Sequence, residues 1–199
     1  MVGERKTTGE RMTGERMTGE RKAGTRERIL DAAGELFGSH GIDAVGVDAI
    51  MHRAGLTHGG FYSHFASKEA LVAEVSAAAL ARSAARWERI CQEAEPAIAL
   101  ERIVGSYLDP AHIAAAERGC VLTTLGPEIA RRRDTRPAVT ASIRRMLDVL
   151  ERCLPRKRRQ RAMEALSGMV GAVVLARLCD DSQLAAEFLA AARRAAGLT

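Results

Sequence analysis

The chain has 199 residues, 47% of them hydrophobic and 28% charged, with a net charge of +5. Such a length buries a real core, as one domain or two small ones. No apolar stretch approaches the ~18 residues of a membrane span, and the first residues are too charged for a signal peptide, so a soluble cytoplasmic protein with no membrane partner is expected. An Ala- and Leu-rich sequence with only five prolines and few aromatic residues points to an all-α fold. Cys91, Cys120, Cys153 and Cys179 lie 26 to 33 residues apart with no CxxC or CxH pair. They suggest neither a zinc site nor a redox motif and read as small buried hydrophobes in a reducing compartment.

Residues 3–22 repeat Gly-Glu-Arg, three times as Thr-Gly-Glu-Arg at a period of five. That period fits neither helix nor strand, so residues 1–24 are expected to form a disordered tail. A first helix is expected from about Thr25 to Ser39. Its Ile29, Ala32, Ala33, Leu36 and Phe37 recur at helical spacing, and Gly41 ends it. The spacing predicts a second helix over 46–54, where Val47, Ile50, Met51 and Ala54 share one face. Gly55 makes a turn, and Thr57 is placed to cap a third helix over 57–63. Gly59 and Gly60 leave the N-terminal end of that helix bare, and Phe61, Tyr62 and Phe65 anchor it. Two short helices around a tight turn read as helix-turn-helix, whose second helix enters the DNA major groove. Ser67 caps a long helix reaching about Cys91, with Glu69 near its positive end. Further helices are expected over 96–108, 110–119, 120–132 with a break near Gly126-Pro127, 136–153, 157–179 and 182–196.

The charge is uneven. Residues 1–24 carry six Lys/Arg against four acids, residues 25–68 four against five, and the remainder twenty against sixteen. The helix-turn-helix is therefore not basic, and net charge is no argument for DNA binding here. Residues 131–161 hold twelve Lys/Arg and three acids. Solvated helix ends explain that run; an anionic ligand or a second DNA contact is the sharper alternative. His40, His52, His58 and His64 lie in the head at spacings of 12, 6 and 6, which align no pair on a helical face, so no metal is expected. No Gly-rich phosphate loop, Gly-x-Ser-x-Gly or paired carboxylate appears. His112 and Cys120 alone suggest a base and nucleophile, without a geometric reason to pair them, so no catalytic residue and no cofactor are expected.

Residues 25–71 resemble the N-terminal domain of the TetR/AcrR family of transcriptional regulators. Thr25–Ala33, Glu35-Leu36-Phe37, His40-Gly41, Val47-Asp48-Ala49-Ile50, Ala54-Gly55-Leu56, Phe61–Phe65 and Lys68–Leu71 carry the resemblance. One departure is Gly46, where the family commonly has a Ser or Thr cap. The resemblance implies a three-helix DNA-binding head (25–66) and an effector-binding and dimerisation domain (67–199), about nine helices in all. The implied protein is a ligand-responsive repressor that binds a palindromic double-stranded operator as a homodimer. The alternatives are a DNA-binding regulator without a small-molecule effector or, less in keeping with the motifs, a helical enzyme or a protein-interaction adaptor.

The DNA-facing residues implied or expected are Thr25, Val47, Thr57, His58, Gly59, Gly60, Tyr62, Ser63, His64 and Lys68. Tyr62, His64 and Lys68 match the family's phosphate-contacting pattern, and Thr57, His58 and the backbone near the two glycines would read bases. For the unknown small-molecule effector, the candidate lining is Trp87, Cys91, Tyr107, Cys120, Leu125, Met146 and Met169. For the homodimer, the family's use of its last two long helices places Leu166, Met169, Val170, Val173, Val174, Leu184 and Phe188 at the interface. The N-terminal repeat reads either as a tandem duplication near the start codon, or a misplaced start, or as an arm whose arginines touch DNA phosphate or the minor groove.

Overall fold

The computed structural model describes residues 8–115, 119–155 and 158–198, with side chains described from Lys22 onward. The described residues form ten α-helices and one 3₁₀ helix, with no strand among them. In order these are α1 (Thr8–His40), α2 (Val47–Arg53), the 3₁₀ helix (His58–Ser63), α3 (Lys68–Glu93), α4 (Pro96–Tyr107) and α5 (Pro110–Ala114). There follow α6 (Val121–Thr124), α7 (Gly126–Ala130), α8 (Arg136–Arg152), α9 (Arg158–Leu178) and α10 (Ser182–Ala195).

The boundaries follow local chemistry. The Ser67 hydroxyl accepts from Ala70 N at 3.1 Å and starts α3, as its position before Lys68-Glu69 implied. Asp109 and Asp181 cap α5 and α10 in the same way. Proline stands in the first turn of α4, α5, α7 and α8, where the missing N–H would have no partner anyway. Gly41 (φ +80°) and Gly55 (φ +68°) adopt the left-handed conformation that ends α1 and turns the chain after α2.

One expectation fails at the start of the chain. The repeat is helical from Thr8, and α1 runs unbroken through Thr25. Its Glu, Arg and Met are good helix formers with no proline to interrupt them, and Arg11/Glu15 and Arg16/Glu20 fall at the supportive i, i+4 spacing. The glycines weaken such a helix without stopping it. Residues 1–7 lie outside the described residues.

The head closes on Ile29, Ala33 and Phe37 of α1, Ile42, Ile50 and Met51 of the α2 region, and Phe61 and Phe65, all buried. The core continues without a break into the body, because the first half of α3 (Leu71, Val72, Val75) belongs to the head and its second half (Leu80, Ala84, Trp87) to the body. There α3 packs on α4 and α8, α8 on α9, and α9 on α10. The α3 helix is thus the shared beam of both parts.

Candidate nucleic-acid interface and the body behind it

The 3₁₀ helix presents one anchored side and one open side. Phe61 is fully buried and stacks on Phe65, with ring centroids 5.6 Å apart. Tyr62 is 64% exposed beside it. Thr57, His58, Gly59 and Ser63 are also exposed, and Gly60 is half-buried because it sits over Met51. Seven of the expected DNA-facing residues, Thr57 to Gly60 and Tyr62 to His64, therefore form one contiguous edge.

Several details differ from expectation. The segment is a 3₁₀ helix, and the Thr57 hydroxyl makes no capping bond, so it is not the cap predicted for it. The tighter 3₁₀ turn is closed by backbone, Gly60 N–H to Thr57 carbonyl at 3.1 Å, which leaves the hydroxyl outward. The Ser63 hydroxyl is turned back onto the Gly60 carbonyl at 2.7 Å. His58 is held against Asp48 of α2, and His64 keeps a buried Nδ1 with no hydrogen-bond partner. Val47 opens α2 half-buried, and Thr25 lies half-buried inside α1 rather than at a helix start. Lys68 is not a free cation: its ammonium donates to the Ile42 carbonyl at 2.7 Å.

The loop that Lys68 pins is gripped from the other side by the body. Ile42 and Asp43 both donate their N–H to the Glu128 carboxylate of α7, at 2.8 and 3.1 Å. Arg132 pairs with Asp43 while its own side chain is only 15% exposed. That hydrogen bond, with nearby Arg132, Lys68 and Arg131 charges, holds the Asp43 carboxyl below its ordinary range. A Cβ at Gly41 would come within 2.9 Å of Glu128 Oε1, so the grip requires glycine there on both steric and conformational grounds. Elsewhere the head is tied inward by Arg26, which pairs with Glu74 and lies 4.6 Å over the Phe65 ring, and by Arg28, which donates to the Ala54 carbonyl.

Residues 29–75, which contain the whole Thr57–His64 edge, match the family model for bacterial regulatory proteins of the tetR family. Residues 29–75 form a tetR-family N-terminal domain. It is 32% identical over 98 residues to the HTH-type transcriptional regulator UidR of Escherichia coli strain K12, an alignment covering 49% of this chain and 48% of that one. It is 36% identical over 92 residues to the HTH-type transcriptional regulator SrpR of Pseudomonas putida, covering 44% and 40% respectively. The chain thus matches about half the length, or less, of these curated relatives. Its backbone follows that of a TetR-family transcriptional regulator from Agrobacterium tumefaciens with a TM-score of 0.73 at 23% identity, over 88% of this chain and 97% of the other. At that identity the likeness establishes the fold.

Behind this tetR-like head the body holds a cavity of about 520 Å³. One wall is α1 (Leu30, Asp31, Gly34), another is α3 (Val75, Arg82, Arg86), and α5–α6 residues close it. Cys120 and Leu125, expected to face an effector, line it; His112 and Thr124 join them. Beside it, Tyr107 is buried edge-on between Trp87 and His112, at centroid distances of 6.1 and 4.8 Å. Neither the Tyr107 hydroxyl nor Trp87 Nε1 has a hydrogen-bond partner. Burial and the adjacent Cys120 push the Tyr107 phenol far above its ordinary range. His112 donates Nδ1–H to the Tyr107 carbonyl at 2.5 Å, so its ring is oriented by the backbone. Met146 and Met169 are wholly buried and line neither cavity described here, and Cys91 opens on a different cleft.

Arg177 of α9 had no signal beyond being the one cation in the apolar second half of that helix. It donates to the His112 and Ile113 carbonyls at 3.1 and 3.0 Å and to the Thr123 hydroxyl at 2.9 Å, fastening α5 and α6 onto α9. Burial lowers its pKa. Four cations of the basic run at 131–161 stand in ion pairs: Arg132 with Asp43, Arg145 and Arg152 with Glu88, and Arg159 with Asp148 and Glu151. Arg158 and Arg159 open α9 at its positive end, so the carboxylates of α8, not a helix C-terminus, offset the charge of Arg159.

The expected dimer residues divide into two groups. Leu166, Met169 and Val173 face the chain's own core and are unavailable to a partner in this arrangement. The apolar pattern that named them could not say which side of a broadly apolar helix meets its own subunit. Val170, Val174 and Phe188 are half-buried and Leu184 is exposed. With Met163 and Leu178 (76% exposed) they form outward stripes on α9 and α10.

Proposed function

We propose that this chain is a ligand-responsive transcriptional repressor that binds a palindromic DNA operator as a homodimer. The observation that carries the reading is the edge at Thr57–His64, solvent-facing on one side and anchored by Phe61 on the other, within the segment that matches the family model. Exposed Tyr62 is suited to donate to phosphate; Thr57, His58 and the open backbone at Gly59 are suited to base edges. Two such heads about one DNA turn (~34–36 Å) apart would read the two half-sites.

The homodimer reading is supported by the α9 and α10 stripes, where Met163, Leu178 and Leu184 are large apolar side chains exposed to water. Gly171 adds room: a Cβ there would meet nothing within 4 Å. The effector reading is supported by the cavity's position. Its walls include head helix α1, beam helix α3 and α6, and α6 leads directly into α7, whose Glu128 holds the head loop. A molecule that fits the cavity better at one head position than another shifts the head by its differential affinity, ordinarily about 1–3 kcal/mol for coupled sites.

The test is an electrophoretic mobility shift on DNA from upstream of the protein's own gene, with sedimentation in parallel. Wild type should shift that duplex as a dimer. Gly171→Arg or Val174→Arg should sediment as a helical monomer and lose the shift, because one head makes half the contacts. A monomer that binds the full site at wild-type strength contradicts the reading.

A further inference from the structure

Cys91 and Cys153 are 62 positions apart in sequence, yet their sulfurs lie 2.9 Å from each other, where the last turn of α3 meets the end of α8. Both are free thiols. A disulfide needs ~2.05 Å between sulfurs, so less than about 1 Å of closure separates this pair from a covalent bond. The two thiols differ in access. Cys91 is half-buried, whereas Cys153 is 3% exposed and its S–H points to the Val149 carbonyl at 3.6 Å. Both line a cleft of about 460 Å³ that also carries Glu88, Gln92 and Arg152, wide enough for a small polar oxidant. The cleft involves α3, α4 and α8, away from the apolar stripes on α9 and α10.

We propose that Cys91 and Cys153 form a redox-active dithiol that a hydroperoxide entering this cleft converts to an intramolecular disulfide. The more accessible Cys91 sulfur attacks the peroxide O–O bond. An S–O bond forms, the O–O bond breaks, and the distal oxygen leaves as water or alcohol, carrying the thiol proton. The Cys153 sulfur then attacks the Cys91 sulfenic acid; the S–S bond forms, the S–O bond breaks, and the hydroxyl leaves as water with the Cys153 proton. In sum two thiols are oxidised by two electrons and one peroxide is reduced. Burial, then the neighbouring Cys91, pushes the Cys153 thiol up to about 12, consistent with Cys153 as the second and not the first to react. The bond staples the end of the shared beam α3 to α8, where Glu88 already pairs with Arg145 and Arg152.

The experiment uses the full chain, reduced and then freed of reductant, titrated with hydrogen peroxide. Remaining thiols are counted by alkylation and intact mass, and linked peptides are mapped. Two of the four thiols should disappear together, one cross-linked peptide joining Cys91 to Cys153 should appear, and dithiothreitol should restore both. The oxidised protein should unfold at higher denaturant than the reduced one, a gain absent in Cys91→Ser. Cys120→Ser/Cys179→Ser should still form the link, while Cys91→Ser should not; Cys91→Ser also keeps the test decisive if a change at buried Cys153 disturbs folding. A different cross-link, Cys91 oxidised beyond the sulfenic acid without linkage, or four thiols intact in excess peroxide overturns the proposal. All of this is read on the protein alone, so it stands or falls independently of DNA binding.

Discussion

The head and the body are built from the same helices-on-a-beam physics but store their function at different sequence distances. In the head, the elements that matter are neighbours in the chain: Ser67 caps the helix one residue on, Gly55 turns α2 into the 3₁₀ helix, and Phe61 and Phe65 anchor the edge that Tyr62 decorates. In the body the decisive contacts are long-range: Glu128 to Ile42, Arg177 to Ile113, Cys91 to Cys153. Local contacts leave a pattern in sequence, while long-range polar ones leave isolated residues that look like ordinary surface charge.

The strongest way to break this contrast is at the anchor. Phe61→Ala removes a fully buried ring from the head and should cost about 3–5 kcal/mol. Because α3 is shared, urea unfolding should show the loss in one transition across the whole chain. An early separate transition of the head alone would make the two parts independent. Arg177→Leu comes next, at about 2–4 kcal/mol, since it strands two carbonyls and a threonine hydroxyl at once. Equilibrium unfolding checks it, and a neutral result would reduce Arg177 to a solvated charge.

A smaller effect sharpens the link between the parts. Glu128→Ala removes the acceptor of two loop N–H groups and should cost about 1–2 kcal/mol. Hydrogen exchange should speed up at Ile42 and Asp43 and remain unchanged at Phe61; unchanged exchange at the loop would mean that α7 does not hold the head. The smallest effect belongs to Tyr107→Phe. Its buried hydroxyl has no partner, so removing it should be neutral or stabilising by up to about 1 kcal/mol. A loss above that would show that the hydroxyl is bonded, to Cys120 or to water.

Acid probes the same grip. The Asp43 carboxyl is held below its ordinary value, so the stability it adds is present above the ordinary carboxylate pKa of about 3.9 and is lost as pH falls through the lowered folded value. Asp43→Asn should lower stability slightly at neutral pH, where the charge acts, and so flatten that acid limb of the stability curve. An unchanged limb would assign the dependence to other carboxylates.

Much of the fold was legible because helix stops and starts are local. Gly41, Gly55, Ser67, Pro96, Pro110 and Pro155 marked boundaries to within a few residues, and the all-α class followed from composition. The repeat before Thr25 was misread because a five-residue period looks aperiodic to a test for amphipathic faces, although its residues favour helix individually. In the site, the exposed edge was legible, but the roles of Lys68 and Thr57 were not: one meets a carbonyl 26 residues away and the other makes no cap. Leu166, Met169 and Val173 were legible as apolar and illegible in direction, which only packing against α8 and α10 decides.

The proposal that the Thr57–His64 edge reads DNA in a two-fold arrangement can be checked by selecting bound duplexes from a randomised pool with the full chain. One palindrome with half-site centres about 10 base pairs apart, or a multiple of that, should be enriched, and the enrichment should vanish when His58 and Tyr62 are both changed to alanine. Enrichment of no sequence, or the same palindrome selected by the double variant, would contradict it.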